Sequence, residues 1–566
     1  TLLRVSGDGE TLSVVAGGFR AVNGLGMGPG GEFTTIDNQG HWMPANRLNW
    51  VVPGGWYGNQ WAWNPGSRTE YDPPLCWMHN FVDRSGGTQL WVPRTAWREL
   101  EGQLITVSYG MGHLFVVLRD ERSSPPQGAV TRLPLDFETG VMRGVFHPTN
   151  SQLYVAGLYG WAGNKTRAGG LYRIRRTEAA LCVPTRLRIA RDGIELGFTA
   201  PLDRAAAGDP GSYDLKAWNY RWSAQYGSPD LKADGTEGRD SWAIESVGVS
   251  EDGRTVYLRV PGIRPVMQWH LVYNLRGADG AALANFVHGT IHRVGTEPLP
   301  RVGQTQAAAA AKHRVETEAT GLRLEVTGAD GAKDVRRVRL PSLFVPEGGR
   351  PSALVPPGPF RARWEGFVRM EVNERVSFEC EGSGAVSLTV NHAEVLNAGP
   401  ITRGGRAEAE LRGGLNHLVV EYQSPPSGAA EFRLLWSSAR IPREPVPSTV
   451  CVHDAADPEL VRWGKVRRGM EIVGERQCTA CHAIRGLERG AIPDWELRGA
   501  SLDGVGAALR EEWLRRWILD PKALRHDARM PQVLAHLGVD DAARDARDLA
   551  ATADRSRLYA AACALQ

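Results

Sequence analysis

The chain has 566 residues, which is too many for a single hydrophobic core, so we expect several domains. Its net charge of +3 is close to neutral for this length and argues against the basic surface of a nucleic-acid-binding protein. No apolar stretch approaches the length of a membrane-spanning helix. The high counts of Gly (66), Pro (35) and Trp (19) favour a β-rich, turn-rich protein.

Residues 1–176 show short strand patterns separated by glycine-rich turns. Two quasi-repeats, at 23–38 and 141–157, each lead from a turn into a strand, which is typical of a β-propeller. The segment is too short for a closed ring of blades, so the sequence predicts a partial propeller. Because exposed sheet edges are avoided in natural proteins, we expect a further chain or an upstream segment to complete it.

Two short segments give this region a family resemblance. Asp37–Asn46 and Pro73–Trp77 resemble the propeller of planctomycete-type and verrucomicrobial-type haem proteins, which are distantly related to sorbosone and soluble glucose dehydrogenases. The resemblance implies a sugar-like alcohol or aldehyde as substrate. It also implies a quinone or calcium as a further cofactor in the propeller.

Residues 44–97 form a tryptophan-rich insertion with two interpretations. Its aromatic faces would suit a substrate platform at the propeller mouth, or they would pack together as a lid without regular sheets. The polar residues His79, Asp83, His113 and Arg143 are expected near this face. None of them matches a catalytic position of the dehydrogenases, so the catalytic residues stay unknown.

Residues 183–297 alternate as strands do, with a turn signal at Asp252-Gly253. The stretches Glu195–Asp203 and Asp209–Tyr213 resemble bacterial Ig-like β-sandwich domains. For such a domain, the resemblance implies a spacer role.

Residues 313–445 are again β-rich and follow an alanine-rich linker. Trp364–Phe367 and Phe432–Trp436 resemble the PA14 domain, a β-sandwich that often binds carbohydrate. Its lectin-type members hold calcium with a pair of acidic residues, but Glu381–Ala385 lacks an Asp-Asp pair. A scaffolding role is therefore expected at least as much as sugar binding.

The segment Cys478-Thr479-Ala480-Cys481-His482 is a C-x-x-C-H motif, the attachment sequence of a c-type haem. A thioredoxin-like redox pair and half of a zinc site are the alternatives. The sequence contains no second C-x-x-C motif, and no βαβ pattern surrounds this one. Both alternatives therefore fit the sequence less well than haem.

Helical patterns surround the motif. Apolar residues recur at helical spacing before it, from Leu460 to Val473, and after it, from Arg510 to Leu519. A closing helix is expected over 540–553. This order resembles a class I cytochrome c domain and covers residues 452–560.

The cytochrome resemblance assigns roles to five residues. Cys478 and Cys481 would attach haem c through thioether bonds, and His482 and Met530 would be the axial ligands of the iron. The backbone carbonyl of Pro493 would hold the other ring N–H of the proximal imidazole and fix its orientation.

The distal ligand has alternatives. Met530 could instead be a gap-filling core methionine, with His526 or His536 as the second ligand. His/Met ligation raises the reduction potential above that of a bis-histidine haem, so the potential separates the two cases.

Attachment of haem c takes place outside the cytoplasm, so we expect a periplasmic or extracytoplasmic protein. The chain begins at Thr1 without a signal sequence, and we expect it to be processed or incomplete there. An oxidising compartment permits disulfides. Since the terminal helices of a class I cytochrome cross, the resemblance implies a Cys451–Cys563 disulfide.

The predicted fold is mainly β, a partial β-propeller plus two β-sandwiches, with a C-terminal all-α cytochrome c domain. Electron transfer to or from a redox partner protein is the expected function. In one hypothesis the propeller is a quinone- or haem-linked sugar or aldehyde dehydrogenase that reduces the haem. In the other, the chain is a non-catalytic electron-transfer or assembly subunit whose β domains dock protein partners or polysaccharide.

Overall fold

The structure is a computed structural model that describes residues 1–64, 66–160, 165–306, 315, 317–401, 405–476, 505–528, 530–534 and 537–554. The fold is mainly β, as predicted. The chain forms two compact units. Unit one contains Thr1–Ala310 and Glu371–Asn373, and unit two contains Ala311–Met370 and Glu374–Gln566.

The described part of unit one is built from short strands and one short helix. The strands are β1 (Leu2–Val5), β2 (Leu12–Ala16), β3 (Val22–Met27), β4 (Phe33–Asp37), β5 (Asn46–Val51), β6 (Cys76–Met78), β7 (Gly86–Trp91), β8 (Leu104–Ser108), β9 (His113–Asp120), β10 (Gln127–Arg132), β11 (Arg143–Phe146), β12 (Leu153–Leu158), β13 (Gly169–Ile174), β14 (Pro184–Ala190), β15 (Gly193–Phe198), β16 (Tyr213–Trp218), β17 (Asp240–Ser241), β18 (Ser246–Val249), β19 (Thr255–Arg259), β20 (Val266–Arg276), β21 (Ala282–Ile291) and β22 (Gln304–Gln306). The helix α1 covers Arg204–Gly208 and is capped by the Asp203 side chain.

These strands form antiparallel sheets. The hairpin β1-β2 stands alone, β3 to β6 form a four-stranded sheet in chain order, and β11 to β13 form a three-stranded one. A five-stranded sheet has the order β14-β15-β19-β18-β22. The largest sheet has eight strands in the order β17-β16-β20-β21-β10-β9-β8-β7.

The eight-stranded sheet runs across the boundary expected between residues 176 and 183. Strand β10 pairs with β21 through Ala129 opposite Gly289 and Val130 opposite His288. A side chain at Gly289 would lie 2.7 Å from both Ala129 and Trp269, so the junction requires a glycine there. The regions expected to be a propeller and an Ig-like domain are therefore joined by backbone hydrogen bonds.

The β part of unit two forms two sheets. Its strands are β23 (Glu318–Thr320), β24 (Leu322–Gly328), β25 (Lys333–Val338), β26 (Ser342–Val345), β27 (Phe360–Met370), β28 (Glu374–Gly382), β29 (Ala385–Val390), β30 (Ala393–Ala398), β31 (Gly405–Leu411), β32 (Gly414–Gln423), β33 (Ala430–Ser437), β34 (Glu444–Pro445) and β35 (Cys451–Asp454). One sheet has the order β23-β35-β27-β32-β29-β30 with β24 and β25 added beside β27, and the other has β26-β33-β28-β31 with β34 beside β33. Residues of both sheets, such as Trp364 and Phe378, share one apolar core.

Cys451 belongs to this core. Its side chain is fully buried and carries a free thiol, and burial raises the pKa of that thiol to about 12. This placement counts against the expected disulfide with Cys563, because the thiol packs among apolar side chains. Cys563 itself lies outside the described residues.

The helices of unit two follow the strands. They are α2 (Pro458–Glu475), α3 (Val505–Ala508), α4 (Glu511–Leu519), α5 (Pro521–Leu524) and α6 (Val539–Asp554). Helix α2 begins with proline, and the Asp457 carboxylate caps its first turn. Its buried Trp463 and Val466 pack into the core of the sandwich. Among the described helices, none is long and apolar enough to cross a membrane.

Candidate functional site

Most of the predicted haem residues lie outside the described residues, namely Cys478, Cys481, His482, Pro493 and the alternative ligand His536. Met530 is described and is half-buried in a bend between α5 and α6. His526, the other alternative ligand, is exposed in the preceding turn.

The helices around Met530 pack through two apolar clusters. One centres on Leu514, with Trp513 and Ile518 beside it, and the other on Leu534. Among the described side chains, Met530 belongs to neither cluster, although it lies only four residues before Leu534. Its assignment as an iron ligand stays a prediction.

Helix α6 packs against both α2 and α4. Between α2 and α6, Arg468 Nη2 lies 3.4 Å from the carboxylate of Asp545. On α4, the rings of Trp513 and Trp517 stack with centroids 5.0 Å apart. The first and last described helices of the region thus contact each other.

A second candidate site is a polar cavity in unit one. It has a volume of about 370 Å³ and is lined by Arg20, Asn38, Gln39, Asn46, Asn80, Arg84, Ser85 and Tyr226. Asn38 and Gln39 directly follow β4, and Asn46 opens β5. Asn80 to Ser85 come from the connection between β6 and β7. The cavity therefore lies where loops leave the four-stranded sheet.

Tyr226 reaches the cavity from a distant part of the sequence, the loop between β16 and β17. The Gly227 N–H donates to the Gly40 carbonyl at 3.1 Å, and the Trp42 N–H donates to the Ser223 carbonyl at 2.9 Å. The Trp222 indole N–H donates to the Gly58 carbonyl at 2.9 Å. Sequence reasoning missed this residue, because it lies in the region expected to be a spacer.

Buried polar side chains fix the loops around the cavity. The Asp37 carboxylate accepts hydrogen bonds from the backbone N–H groups of Arg20 and Ala21, both at 2.6 Å. The Asn46 side chain accepts the Gln39 N–H at 2.7 Å and donates to the Asp83 carbonyl at 2.5 Å. These bonds fix the positions of the loops whose polar side chains line the cavity.

The lining of the cavity carries positive charge. Arg20 donates to the Gln39 carbonyl at 2.8 Å, and its guanidinium lies over the Tyr226 ring, 5.3 Å from the centroid. Arg84 donates to the Asn80 carbonyl at 3.2 Å. Among the described residues that line the cavity there is neither an aspartate nor a glutamate.

Asp83 lies next to Arg84 in the chain and is fully buried. The Ser108 hydroxyl donates to one of its carboxylate oxygens, and the other oxygen has no hydrogen-bond partner among the described residues. Burial raises the pKa of Asp83 to about 7. The carboxyl group is thus partly protonated at neutral pH.

The tryptophan-rich segment divides into buried and exposed rings. Trp56 and Trp77 are fully buried, whereas Trp61 is 66% exposed. The ring of Trp61 is tilted against that of His41, with centroids 4.6 Å apart, and the His41 ring in turn meets the edge of Tyr226 at 5.5 Å. The packed-lid interpretation therefore describes the buried rings, whereas Trp61 is an exposed ring that is linked to the cavity residue Tyr226 through His41.

Arg47 shows how the buried half of that segment is built. Its guanidinium is fully buried over the rings of Tyr57, Tyr71 and Trp77, at 4.9 to 5.4 Å. It donates to the Tyr57 carbonyl at 2.7 Å and to the Asp72 carbonyl at 2.6 Å. Burial lowers the pKa of Arg47 to about 10, so it stays charged at neutral pH.

The four polar residues expected near one face are only partly brought together. His79 and Asp83 share a turn, in which the Asp83 N–H donates to the His79 carbonyl at 3.0 Å. His113 lies at the start of β9, where burial lowers its pKa to about 4. Arg143 is exposed and donates to the Asn23 side chain at 3.3 Å.

A pair of buried histidines lies beside His79. The His79 N–H donates to Nε2 of His288 at 3.1 Å, so the neutral His288 ring carries its proton on Nδ1. That nitrogen lies 3.1 Å from Nδ1 of His270, which therefore accepts a hydrogen bond from it. Burial lowers the pKa of His270 to about 3 and holds that of His288 well below its ordinary value.

No protein-family model matches the chain, and no curated protein matches it. Among solved structures, it is similar to an anti-sigma factor domain-containing protein, with 17% identity over 46% of this chain and 85% of that one and a TM-score of 0.23. The PQQ-bound aldose sugar dehydrogenase of Streptomyces coelicolor aligns with 17% identity over 27% of this chain and 45% of that one, at a TM-score of 0.21. A PA14 sugar-binding domain from an RTX adhesin aligns with 16% identity over 24% and 99%, at a TM-score of 0.20. Such low scores establish neither the fold nor the activity of this chain.

Proposed function

We propose that this chain is an exported electron-transfer protein with one covalently attached haem c, and that the cavity of unit one binds a sugar-like substrate. The observation that carries the proposal is the C-x-x-C-H motif of Cys478 to His482, followed at a distance by Met530. The packing of α2 against α6 supports the same assignment.

In this proposal the side chains of unit two hold the cofactor. Cys478 and Cys481 attach it, and His482 and Met530 are the axial ligands. Met530 fits this role because it is half-buried in a bend and belongs to neither described apolar cluster. Haem c supplies one-electron transfer when it is bound.

The substrate part of the proposal depends on the cavity of unit one. Its lining combines four amide side chains, two hydroxyls and two arginines, and such groups recognise ligand hydroxyls and carbonyls. If the bound sugar-like molecule reduces the haem, directly or through a quinone, the chain is a sugar or aldehyde dehydrogenase.

The first experiment tests haem attachment. The full chain is expressed in a host that attaches haem c, and its pyridine haemochrome spectrum and intact mass are measured. We expect the spectrum of haem c and the added mass of one haem. The double variant Cys478→Ala/Cys481→Ala should lose both, whereas the control Cys182→Ala should keep them. Wild-type chain without haem, or haem retained by the double variant, would overturn the assignment.

A second measurement addresses the distal ligand. Met530→Ala should retain the attached haem but lower its reduction potential, because a thioether ligand favours the reduced iron. His526→Ala is the matched control and should leave the potential unchanged. The opposite result, with the potential sensitive only to His526, would assign the ligand to that histidine.

The rival function is a non-catalytic subunit that docks a partner. It is favoured by the exposed apolar side chains of the first strands, including Val5, Leu12 and Met27. A panel of sugars, with added quinone and calcium, separates the two functions. Reduction of the haem by a sugar supports the dehydrogenase, and reduction only by a partner protein supports the docking subunit.

A further inference from the structure

We propose that the cavity of unit one binds an acidic sugar, with Arg20 binding its carboxylate. The inference deepens the sugar-binding part of the proposed function and does not depend on the haem. It rests on three features of the cavity, which are its charge, its polar groups and the aromatic rings beside it.

The charge of the lining favours an anion. Arg20 and Arg84 both line the cavity without an acidic residue among the described lining. Arg20 has one hydrogen bond to a backbone carbonyl and lies over Tyr226, but it makes no ion pair with a described carboxylate. A guanidinium keeps its charge at all relevant pH values and binds carboxylates through paired N–H groups.

Other polar groups of the cavity suit hydroxyl groups. The hydroxyl side chains of Ser85 and Tyr226 line it, and a hydroxyl both donates and accepts hydrogen bonds, as the hydroxyls of a sugar do. A simple inorganic anion has only acceptors unless it is protonated.

The backbone at Ser85 is a further sign of a built site. Ser85 lines the cavity with φ at +69°, in the left-handed region that side chains other than glycine seldom adopt. The conformation costs about 1 kcal/mol or more and persists where surrounding bonds enforce it. Here the Tyr109 N–H donates to the Ser85 carbonyl at 2.9 Å.

The aromatic rings and the volume favour a sugar over a smaller anion. Tyr226 is 62% exposed while lining the cavity, and Trp61 is joined to it through His41. Aromatic faces pack against the C–H faces of sugars and add apolar contact area. The volume of about 370 Å³ exceeds what phosphate or acetate would fill and lies within the usual range of ligand pockets.

Calorimetric titration of the full chain with D-glucuronate, D-glucose and inorganic phosphate tests the inference. We expect glucuronate to bind at least tenfold more tightly than either of the others, with an affinity that falls as salt rises. Arg20→Gln should remove that preference and leave glucose binding unchanged. The control Arg143→Gln alters an exposed arginine that does not line the cavity and should have no effect.

Tyr226→Ala guards against a folding artefact, because the side chain is largely exposed. It should weaken the binding of glucuronate and of glucose by the same factor and leave the preference for glucuronate intact. Equal affinity for the two sugars, or phosphate binding as tight as glucuronate binding, would overturn the inference while leaving the haem assignment untouched. Binding of neither sugar would overturn the sugar-binding part of the proposed function as well.

Discussion

The two units bury charged side chains in different ways. In unit two, the fully buried carboxylate of Asp334 pairs with Arg467, and it lies 3.2 Å from Arg336. In unit one, Arg47 and Asp83 are equally buried, but neither forms an ion pair with another described residue. Arg47 instead has carbonyls and aromatic rings as partners, and Asp83 has a raised pKa.

The difference teaches what each buried charge does. A buried ion pair ties two elements together, here β25 and α2, and tolerates no loss of one partner. An unpaired buried acid lowers stability whenever it ionises. Unit one accepts that cost next to its cavity, where Asp83 adjoins two lining residues, Arg84 and Ser85. Asp334 and Arg467 thus belong to the scaffold, whereas Asp83 lies beside the candidate site.

The largest expected effect comes from breaking the pair in unit two. Asp334→Asn leaves Arg467 half-buried without its counter-ion, so unit two should lose about 3 kcal/mol of unfolding free energy. Urea unfolding, followed by hydrogen exchange in peptides of β25 and α2, measures the loss.

A double variant serves as the control for that prediction. Asp334→Asn combined with Arg467→Met removes both charges and should recover much of the lost stability. If the double variant is no more stable than the single one, the ion pair is not what links β25 to α2, and the comparison between the units loses its basis.

At Asp83 we expect substitution to raise the unfolding free energy instead of lowering it. Its folded pKa of about 7 lies above the ordinary value of 3.8, so the folded state holds a proton that the unfolded state releases. Stability therefore falls as pH rises from about 4 to 7. Asp83→Asn should remove this loss, so its gain in unfolding free energy over the unaltered chain should grow across that range and be absent below pH 4.

Unfolding of unit one in urea between pH 4 and pH 8 tests the prediction at Asp83. Asp252→Asn is the matched control, because Asp252 is exposed and a hydrogen bond from Ser250 lowers its pKa. That variant should lose a small amount of unfolding free energy above pH 4, where Asp83→Asn gains it. If Asp83→Asn raises the unfolding free energy by the same amount at every pH, the effect comes from packing and not from ionisation of Asp83.

How far the sequence predicts these features depends on the distance over which they form. The mainly β class follows from composition and local strand patterns. The pairing of β10 with β21 does not, because it joins residues about 160 positions apart and requires Gly289 to admit a close approach. A lone glycine in a strand pattern does not reveal which strand approaches it.

The cavity shows the same limit. Asn38 and Asn46 lie in the segment Asp37–Asn46 that carries the family resemblance, whereas Arg84 lies outside it, and no local pattern marks the three as one site. Tyr226 enters through backbone bonds to Gly40 and Trp42 that no local pattern encodes. By contrast, the C-x-x-C-H motif is contained within five residues, so its assignment comes entirely from the sequence and stays a prediction.

A smaller effect is expected from the buried histidine pair. Burial keeps His288 neutral in the folded state, whereas an unfolded histidine gains a proton below about pH 6.5. Unit one should therefore lose stability as pH falls below that value. His288→Gln should cost about 1 kcal/mol at pH 7.5, through the altered bond to His79, but flatten the acid side of the stability profile.

Urea unfolding at intervals from pH 7.5 to pH 4.5 measures that profile. His147→Gln is the control because His147 is exposed, and its profile should keep the slope of the unaltered chain. If the stability of the His288→Gln variant falls as steeply as that of the control between pH 6.5 and pH 4.5, the histidine pair does not govern acid unfolding.

The smallest effect is expected between α2 and α6. Arg468 is more than a third exposed, and its 3.4 Å contact with the buried carboxylate of Asp545 joins the two helices. Arg468→Ala should cost only about 0.5 kcal/mol, because solvent screens the exposed guanidinium and Arg544 stays 3.8 Å from the same carboxylate. Arg468→Lys keeps the charge and should cost less. A loss above about 2 kcal/mol for Arg468→Ala would mean that the fold of unit two depends on this pair as it does on the pair of Asp334 and Arg467. The small loss expected instead would leave the packing of α2 against α6 to apolar contacts.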